Sequence, residues 1–281
     1  AVAYANYAMT HQVMAMEVVK RKRGIDFFDS ANFQGLMDYV LSLYLPNSLD
    51  KYGSVSFGDA NRTMASSTAF WVAANARDGR SQFIGLNYSP HDLFSFLHYD
   101  DSVKPIVPDA ATHFVKLDLD WIVLRDGYEM DDLVLAMRSG LPANHEHADR
   151  NSFFYKIYGE RLLNDPFGAS YDATSVGWTL RLTLAHNAVL IGGKGHQYHN
   201  GEEGVNESQA SAKLVRWSDR GDTVTWCSDA TQAYKLVDGN VSSVTRTIVF
   251  AKPNVVAVLD RVILEKASRT VEARFFPDNR D

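Results

Sequence analysis

Three histidines and one aspartate in the middle of the chain have the types and the spacing that chemistry requires. His145 and His147 are separated by one residue, Asp165 follows a strand-like run, and His186 lies further downstream. Two imidazoles and a carboxylate are enough to bind a divalent metal, and this donor set suits Zn²⁺, with Fe²⁺ and Mn²⁺ as rivals. One histidine would then remain for chemistry on a substrate.

The closely spaced pair His145 and His147 allows two arrangements. On a strand both rings would point to the same face, because side chains alternate along it. In a loop one ring can bind metal while the other faces a cleft, and we favour this second arrangement. Asp149 is then a candidate acceptor for an imidazole N–H.

Other patterns exclude several kinds of site. The sequence contains no Gly-x-Ser-x-Gly elbow, no P-loop and no dinucleotide-binding fingerprint. His196 and His199 lie in a glycine-rich segment that we predict to be a solvated loop. The single cysteine, Cys227, is predicted to be a small buried strand residue rather than a nucleophile.

The elements that must position these residues fall into two parts. Apolar residues at spacings of three and four predict helices over residues 4–23, 30–45, 63–76 and 92–98. The first helix ends in four basic residues followed by Gly24, and Pro46 ends the second. The N-terminal part of the chain is therefore predicted to be helical, over residues 1–108.

Short alternating segments separated by turn residues dominate residues 109–281. The predicted strands cover residues 113–117, 121–125, 133–137, 152–157, 178–189, 214–217, 224–226, 244–250 and 255–263. Many short strands without intervening helices predict a large antiparallel β-sandwich rather than a parallel sheet. The predicted fold class is therefore α+β with two domains.

Composition restricts the partners of the protein. The 281 residues carry a net charge of -6, which argues against nucleic-acid binding, and no apolar run is long enough for a membrane span. The chain starts within a helical pattern without Met and stops just after a strand, so we expect a piece of a longer protein. Nothing in the sequence indicates the oligomeric state.

The central motifs resemble those of the heparinase II/III-like polysaccharide lyases, a group that includes alginate and oligoalginate lyases of related fold. The resemblance is carried by HEHADRNSF from His145, by LLNDP around Asp165 and by HNAV from His186. It extends to residues 123–140 and 244–262, and more loosely to the N-terminal helix and to FGDA from Phe57. It thus covers nearly the whole chain.

This resemblance implies an incomplete α/α toroid, of which the chain holds the last helices, followed by the β-sandwich. It also implies β-elimination at a uronic acid residue of an acidic polysaccharide or oligosaccharide. A base removes the proton on C5, the 4-O-glycosidic bond breaks, and a C4–C5 double bond forms. In this family the residues matching His147, Asp165 and His186 bind zinc, mainly in a structural role, and His145 faces the substrate.

The resemblance further implies a catalytic tyrosine near the start of a toroid helix. Tyr4 matches that place best, with Tyr7 as the second choice. Related enzymes also use an asparagine or histidine from an earlier helix to neutralise the substrate carboxylate, and we expect its position to lie upstream of residue 1. A periplasmic or secreted bacterial location is implied by the resemblance alone.

Two other functions remain open from the residues. A cupin-like metal oxygenase also uses HxH, a carboxylate and a later histidine, although its carboxylate usually follows within a few residues and it gives the helical part no role. A non-catalytic carbohydrate-binding protein could keep the metal for stability. The sequence does not identify the polysaccharide, nor does it distinguish endo from exo cleavage.

Overall fold

A computed structural model describes residues 2–46, 53–55, 57–59, 67–87, 91–109, 113–142, 145–196 and 209–278, with the backbone alone for 2–6 and 113. The helices of its N-terminal part are α1 (Val2–Arg23), α2 (Phe33–Leu43), α3 (Ser67–Ala76), α4 (Gly79–Asn87) and α5 (Leu93–His98). The predicted helices are confirmed where they are described, and residues 63–66 of the third lie outside the described residues. None of the helices in the described ranges is long and apolar enough to cross a membrane.

The helical part differs from the prediction at one helix boundary and in one additional helix. The second helix starts at Phe33 rather than at residue 30, because the Asn32 side chain accepts a hydrogen bond from the Gly35 amide (2.8 Å) and caps it. A 3₁₀ turn, Phe28–Ser30, precedes that cap. Helix α4 was not predicted, since Gly79, Gly85 and scattered polar residues obscure its apolar face.

Antiparallel sheets follow the helices, so the chain is a mixed α+β protein. The first sheet is a five-stranded meander, made of β1 (His113–Lys116), β2 (Ile122–Arg125), β3 (Val134–Met137), β4 (Phe153–Ile157) and β5 (Glu160–Leu163). The second sheet has the order β10-β9-β8-β7, with strands β7 (Lys213–Asp219), β8 (Thr223–Asp229), β9 (Val241–Ala251) and β10 (Val255–Leu264). A two-stranded sheet pairs β6 (Val189–Ile191) with β11 (Val271–Ala273), and a short helix, α6 (Thr231–Lys235), follows β8.

The strand predicted over residues 178–189 is wrong for most of its length. Two 3₁₀ turns, Val176–Arg181 and Thr183–Ala185, occupy it, and only Val189 belongs to a strand. The Ser175 side chain accepts a hydrogen bond from the Gly177 amide and so caps the first turn. Alternating branched and aromatic residues produced the strand-like pattern, and local capping overrides it. Cys227 is buried in β8, as predicted.

The five-stranded sheet forms the middle layer of the described structure. Ile122 and Leu124 pack in one core with Trp226 and Ile248 of the four-stranded sheet. Val123, which points to the opposite face, packs in a second core with the helices. Side chains of a strand alternate between faces, so a strand covered on both sides is buried throughout. This explains why β2, β3 and β4 are fully buried.

Two links join the helical part to the middle sheet. The Arg125 guanidinium donates to the carbonyls of Leu41 (2.6 Å) and Tyr44 (2.5 Å) at the end of α2. Downstream of this helix, Phe57 packs edge-on against Trp121, with ring centroids 5.3 Å apart. Phe57 thereby brings the following residues, Gly58 and Asp59, to the segment that carries the paired histidines.

Candidate metal centre and its surroundings

His147, Asp165 and His186 come together as a fully buried group. One potential ligand atom from each lies within 4.8 Å of the others, and the two imidazole rings are 5.3 Å apart. Two imidazoles and one carboxylate match the donor preference of Zn²⁺ and of neighbouring divalent transition metals. The group could therefore hold a metal ion.

These side chains come from three different segments of the chain. His147 lies in the irregular segment before β4, Asp165 follows β5, and His186 follows the second 3₁₀ turn. The Ser152 hydroxyl joins two of these segments, because it donates to Asp165 Oδ2 (2.8 Å) and accepts from the Asn187 amide (3.1 Å). The Ser152 side chain and the Asn187 backbone thus help to hold the group in place.

Arg246 of β9 fixes the same segments from the second sheet. It is almost completely buried, and one guanidinium nitrogen donates to the carbonyls of Asn151 (2.9 Å) and Asn187. Both oxygens of Asp260 balance its charge, each at 2.7 Å. The bidentate pair therefore connects the segments of two candidate ligands to the four-stranded sheet.

The hydrogen bonding of His147 fits a bound metal. Its Nε2 lies 3.0 Å from Asp59 Oδ1, and its Nδ1 is buried without a hydrogen-bond partner among the described residues. A buried polar atom without a partner is costly, so native structures rarely keep one. A metal ion bound to Nδ1 would remove this cost. The hydrogen bonding of His147 therefore fits a metal site.

Asp59 is the hub between the buried group and the more exposed side chains. Oδ1 accepts hydrogen bonds from His147 and from Arg181 (2.5 Å). Oδ2 accepts from the Tyr171 hydroxyl (2.7 Å) and lies 3.2 Å from His145 Nδ1. His145 Nδ1 is also 3.1 Å from the Tyr171 hydroxyl, so four side chains converge on one carboxylate.

The charge state of this hub follows from its neighbours. Burial opposes ionisation of Asp59, but hydrogen bonds from His147 and Tyr171 and the charge of Arg181 hold its pKa well below the usual range. Burial lowers the pKa of His147, an effect that the hydrogen bond to Asp59 opposes and that His186 reinforces. The pair is therefore an ionised carboxylate and a neutral imidazole, the form in which histidine binds metals.

The backbone at His145 is held in an unusual conformation. Its φ of 59° lies in the left-handed region, which costs energy for a residue other than glycine. The carbonyl of His145 accepts from the Asp59 amide (3.0 Å), and Gly58 approaches so closely that a Cβ there would lie 2.6 Å from that carbonyl oxygen. The loop from the helical part therefore determines how His145 is presented.

Asp149 does not have the predicted role of accepting an imidazole N–H. It lies between Arg138 and Arg150, at 3.8 and 3.2 Å, and accepts from the Gly58 amide (3.2 Å). Burial would raise the pKa of its carboxyl, but the two guanidinium charges lower it. Asp59 contacts His147 instead, because the loop from the helical part occupies the space beside that ring.

The predicted site residues are brought together to different extents. His145 lies beside the buried group but outside it, with its side chain 26% exposed, whereas His147 is fully buried. Tyr7 is 66% exposed on α1, where its ring packs on His11 with centroids 4.5 Å apart. Tyr4 belongs to α1, but its side chain lies outside the described part of the chain.

Sequence reasoning missed three residues of the hub. Asp59 lies within the FGDA motif already noted for its resemblance, but nothing about its spacing connects it to His147. Tyr171 was part of an unassigned loop, and Arg181 was hidden in the segment misread as a strand. The Arg181 guanidinium also lies over the Tyr171 ring, 5.0 Å from its centroid.

The prediction that His196 lies in a solvated loop is wrong. The residue is fully buried, its Nε2 accepts from the Arg150 amide (2.9 Å), and its ring packs edge-on against Tyr234. The contact with Arg150 supports the segment that carries the histidine pair. His199 lies outside the described residues.

Comparisons with known proteins agree with this architecture. The sequence model of the family described as "Heparinase II/III-like, C-terminal" matches residues 112–278, which is more than half of the chain. No curated protein matches the chain.

Several solved structures share the fold. Heparinase III, the BT4657 gene product with methylated lysines, superposes with a TM-score of 0.61 at 16% identity, over 84% of this chain and 32% of that chain. A mutant of the heparan sulfate lyase HepC from Pedobacter heparinus gives 0.60 at 15% identity, over 82% and 32%. Another heparinase III structure gives 0.57 at 14% identity, over 83% and 34%. The chain thus spans about a third of the length of these structures.

Proposed function

This chain belongs to the heparinase II/III-like family, and on that premise we propose that it carries part of the active site of a polysaccharide lyase. The substrate is an acidic polysaccharide or oligosaccharide that contains uronic acid, of the glycosaminoglycan kind. The observation that carries the proposal is His145, which lies beside a buried group able to hold a metal and within hydrogen-bond distance of the Tyr171 hydroxyl. One similar structure is named as a heparan sulfate lyase, which favours this substrate class over alginate.

The proposed reaction is β-elimination. A base takes the proton from C5, the electron pair of that C–H bond forms the C4–C5 double bond, and the C4–O bond breaks. The departing oxygen takes a proton from an acid. The enzyme therefore needs one group that accepts a proton and one that donates a proton on the same sugar.

His145 and a tyrosine are the proposed proton-transfer groups. The resemblance assigns the tyrosine to Tyr4, with Tyr7 second, and the geometry adds Tyr171 as a further candidate. An ionised Asp59 can only accept hydrogen bonds, which favours a proton on His145 Nδ1 and leaves Nε2 as the accepting nitrogen. Tyr171 is 55% exposed, so a sugar can reach it.

We propose zinc as the ion held by His147, Asp165 and His186. Zinc binding would tie three segments together and so support the fold around His145. When bound, the ion supplies positive charge to the floor of the site. The chain's own residues then orient His145 through Asp59 and keep water away from the buried ligands.

The proposal extends to the whole protein. The helices of residues 1–108 form the end of an α/α toroid, and residues 109–281 belong to a larger β-sandwich that faces it. The group that neutralises the substrate carboxylate comes from an earlier toroid helix. A bacterial periplasmic or secreted location is part of the same proposal, and cell fractionation with an antibody against this chain tests it.

A panel of uronate polymers tests the proposed activity. The natural full-length protein, loaded with zinc, is incubated with heparan sulfate, hyaluronan, chondroitin and alginate. We expect ultraviolet absorbance from the C4–C5 double bond with at least one polymer, and none with His145→Ala. An inactive wild-type protein that still binds these polymers would instead support the non-catalytic carbohydrate-binding function.

The cupin-like oxygenase receives no support from the arrangement of the histidines. That function would use both residues of the HxH pair as ligands, whereas His145 lies outside the buried ligand group and contacts Asp59 and Tyr171. Oxygen uptake by an iron-loaded protein would reverse this conclusion.

A further inference from the structure

We propose that Asp59 is the positioning residue of this site: Oδ1 makes His147 bind metal through Nδ1, and Oδ2 holds Tyr171 beside His145. The part of the proposal that concerns metal binding depends on the hydrogen bonds of His147 and of Asp59, and not on the proposed function. The half that concerns Tyr171 and His145 rests on the proposed function. The two halves are separable because they use different oxygens of one carboxylate.

Asp59 determines which nitrogen of His147 carries the proton. Asp59 Oδ1 accepts from the buried Arg181 guanidinium at 2.5 Å and lies 3.0 Å from His147 Nε2, so this nitrogen donates to the same oxygen. A neutral imidazole with a proton on Nε2 has its lone pair on Nδ1. This is the buried nitrogen without a hydrogen-bond partner among the described residues. Asp59 thereby prepares Nδ1 as the metal ligand.

Arg181 fixes the orientation of Asp59 itself. Arg181 is fully buried and donates to Oδ1 at 2.5 Å, so the carboxylate cannot rotate without leaving a buried guanidinium charge uncompensated. Arg181 also donates to the Glu146 carbonyl (3.2 Å), in the residue between the two histidines. The carboxylate is therefore fixed relative to the segment that it orients.

The other carboxylate oxygen of Asp59, Oδ2, faces the more exposed side chains. It accepts from Tyr171 at 2.7 Å and lies 3.2 Å from His145 Nδ1, and both of these side chains are partly exposed. One carboxylate thus connects a buried ligand to the two groups that face solvent. Because Asp59 comes from the helical part and His145 from the sheet part, this contact also aligns the two parts at the site.

Nuclear magnetic resonance of the metal-free full-length protein tests the first half without any activity. Long-range nitrogen–proton spectra of the histidine rings identify the protonated nitrogen. We expect His147 to carry its proton on Nε2 in the wild type and in Asp59→Asn, since Arg181 keeps the amide oxygen turned toward His147. A wild-type ring protonated on Nδ1 would overturn the proposal.

Zinc affinity, measured by competition with a chelating dye, is the second readout. Removing an acceptor that orients a ligand typically weakens metal binding by about 10- to 100-fold, and we expect this loss in Asp59→Ala. Tyr171→Phe removes a hydrogen bond to Oδ2 and none to Oδ1, so it should retain the wild-type affinity. Asp118→Asn changes an exposed aspartate and serves as the matched control.

Turnover and the His145 signals test the second half. Asp59→Asn should bind zinc with less loss than Asp59→Ala, yet have a much lower kcat, because its NH₂ group replaces the acceptor for Tyr171. Wild-type kcat in Asp59→Asn would overturn this half. If the wild type cleaves no uronate polymer, the proposed function fails. Displaced His145 ring signals in Asp59→Asn would still support the positioning role of Asp59. Unchanged His145 ring signals would overturn that role.

Thermal unfolding measurements establish whether each variant is folded. Asp59→Asn has the same size as the wild-type residue and keeps an acceptor for Arg181, so we expect it to fold. If Asp59→Ala does not fold, the zinc affinity of the double variant Asp59→Ala/Arg181→Leu replaces it. If Asp59→Ala or Asp59→Ala/Arg181→Leu folds and binds zinc with wild-type affinity, the role of Oδ1 is contradicted.

Discussion

His145 and His147 are separated by one residue, yet their surroundings differ. His147 is enclosed with Asp165 and His186, whereas His145 contacts Asp59 and Tyr171 near the surface. The sequence could predict that one ring binds metal and the other faces a cleft, since that follows from an irregular segment. It could not predict Asp59, because the contact joins residues 88 positions apart in the chain.

Substitutions of the metal ligands and of His145 should have different effects. His147→Ala or Asp165→Ala should abolish stoichiometric zinc binding and lower the melting temperature, since a ligand that binds only the folded state stabilises it. His145→Ala should keep zinc and lose turnover. Elemental analysis and calorimetry provide the measurements, and zinc retained by both of the first two variants would refute the ligand assignment.

Gly58→Ala should damage the site through the backbone. Gly58 has a φ of +70°, and an added Cβ would lie 2.6 Å from the His145 carbonyl oxygen. We expect a loss of stability of about 1–3 kcal/mol, the usual cost of strained backbone, together with reduced turnover. The comparison uses chemical denaturation and initial rates.

Gly221→Ala is the matched control for Gly58→Ala. Gly221 has a φ of +80°, but nothing lies within 4 Å of an added Cβ. It carries the same conformational penalty without the close approach to His145. Equal effects of the two substitutions on turnover would show that the contact with His145 is unimportant.

At the scale of elements, the sequence predicts strands correctly where both faces of the strand are covered. Strands β2 to β4 are buried on both faces because helices cover one face and the four-stranded sheet covers the other. The segment Val176–Arg181 looks equally strand-like but forms a 3₁₀ turn, capped by Ser175. Its Arg181 then reaches Asp59, so the failed prediction concealed a residue of the site.

Arg246→Met tests whether the four-stranded sheet holds the ligand segments. It would leave Asp260 without its partner and remove the donor to the Asn151 and Asn187 carbonyls. A buried acceptor that loses its hydrogen-bond donor costs about 1–3 kcal/mol, and two carbonyls lose theirs here. We therefore expect a large loss in the free energy of unfolding, together with weaker zinc binding.

The surface pair of Arg269 and Asp238 provides the comparison for Arg246→Met. Its atoms are 3.4 Å apart and both side chains are partly exposed. Exposed pairs contribute about 0–1 kcal/mol, so Arg269→Met should change stability little. Similar losses in the two variants would mean that the burial of Arg246 has no special role.

Lys156 of β4 should make stability depend on pH. Burial lowers its pKa to about 8 from the ordinary lysine value of 10.5, partly opposed by Asp132, and its ammonium donates to the carbonyls of Met130 and Asp132. Between these two pH values the unfolded chain binds more protons than the folded one, so this group makes stability rise with pH. Lys156→Met should remove that rise in urea titrations, and identical pH profiles would contradict the assignment.

At the scale of the whole molecule, the site lies where the helical part meets the sheets. Arg125 fastens α2 to the middle sheet, and the loop through Phe57 brings Asp59 to His145 and His147. The order of helices and sheets could be read from sequence periodicity. Their meeting at one carboxylate could not, because it depends on how both parts pack against the same sheet.

The fate of solvent oxygen during cleavage tests the proposed lyase most directly. The natural full-length protein is loaded with zinc and given heparan sulfate in water labelled with heavy oxygen, and the products are analysed by mass spectrometry. In samples quenched before the new reducing end exchanges its oxygen with solvent, elimination predicts fragments with a new double bond and no label, formed by the wild type and not by His145→Ala. Labelled, saturated ends would indicate hydrolysis, and these, or equal cleavage by His145→Ala, would contradict the account.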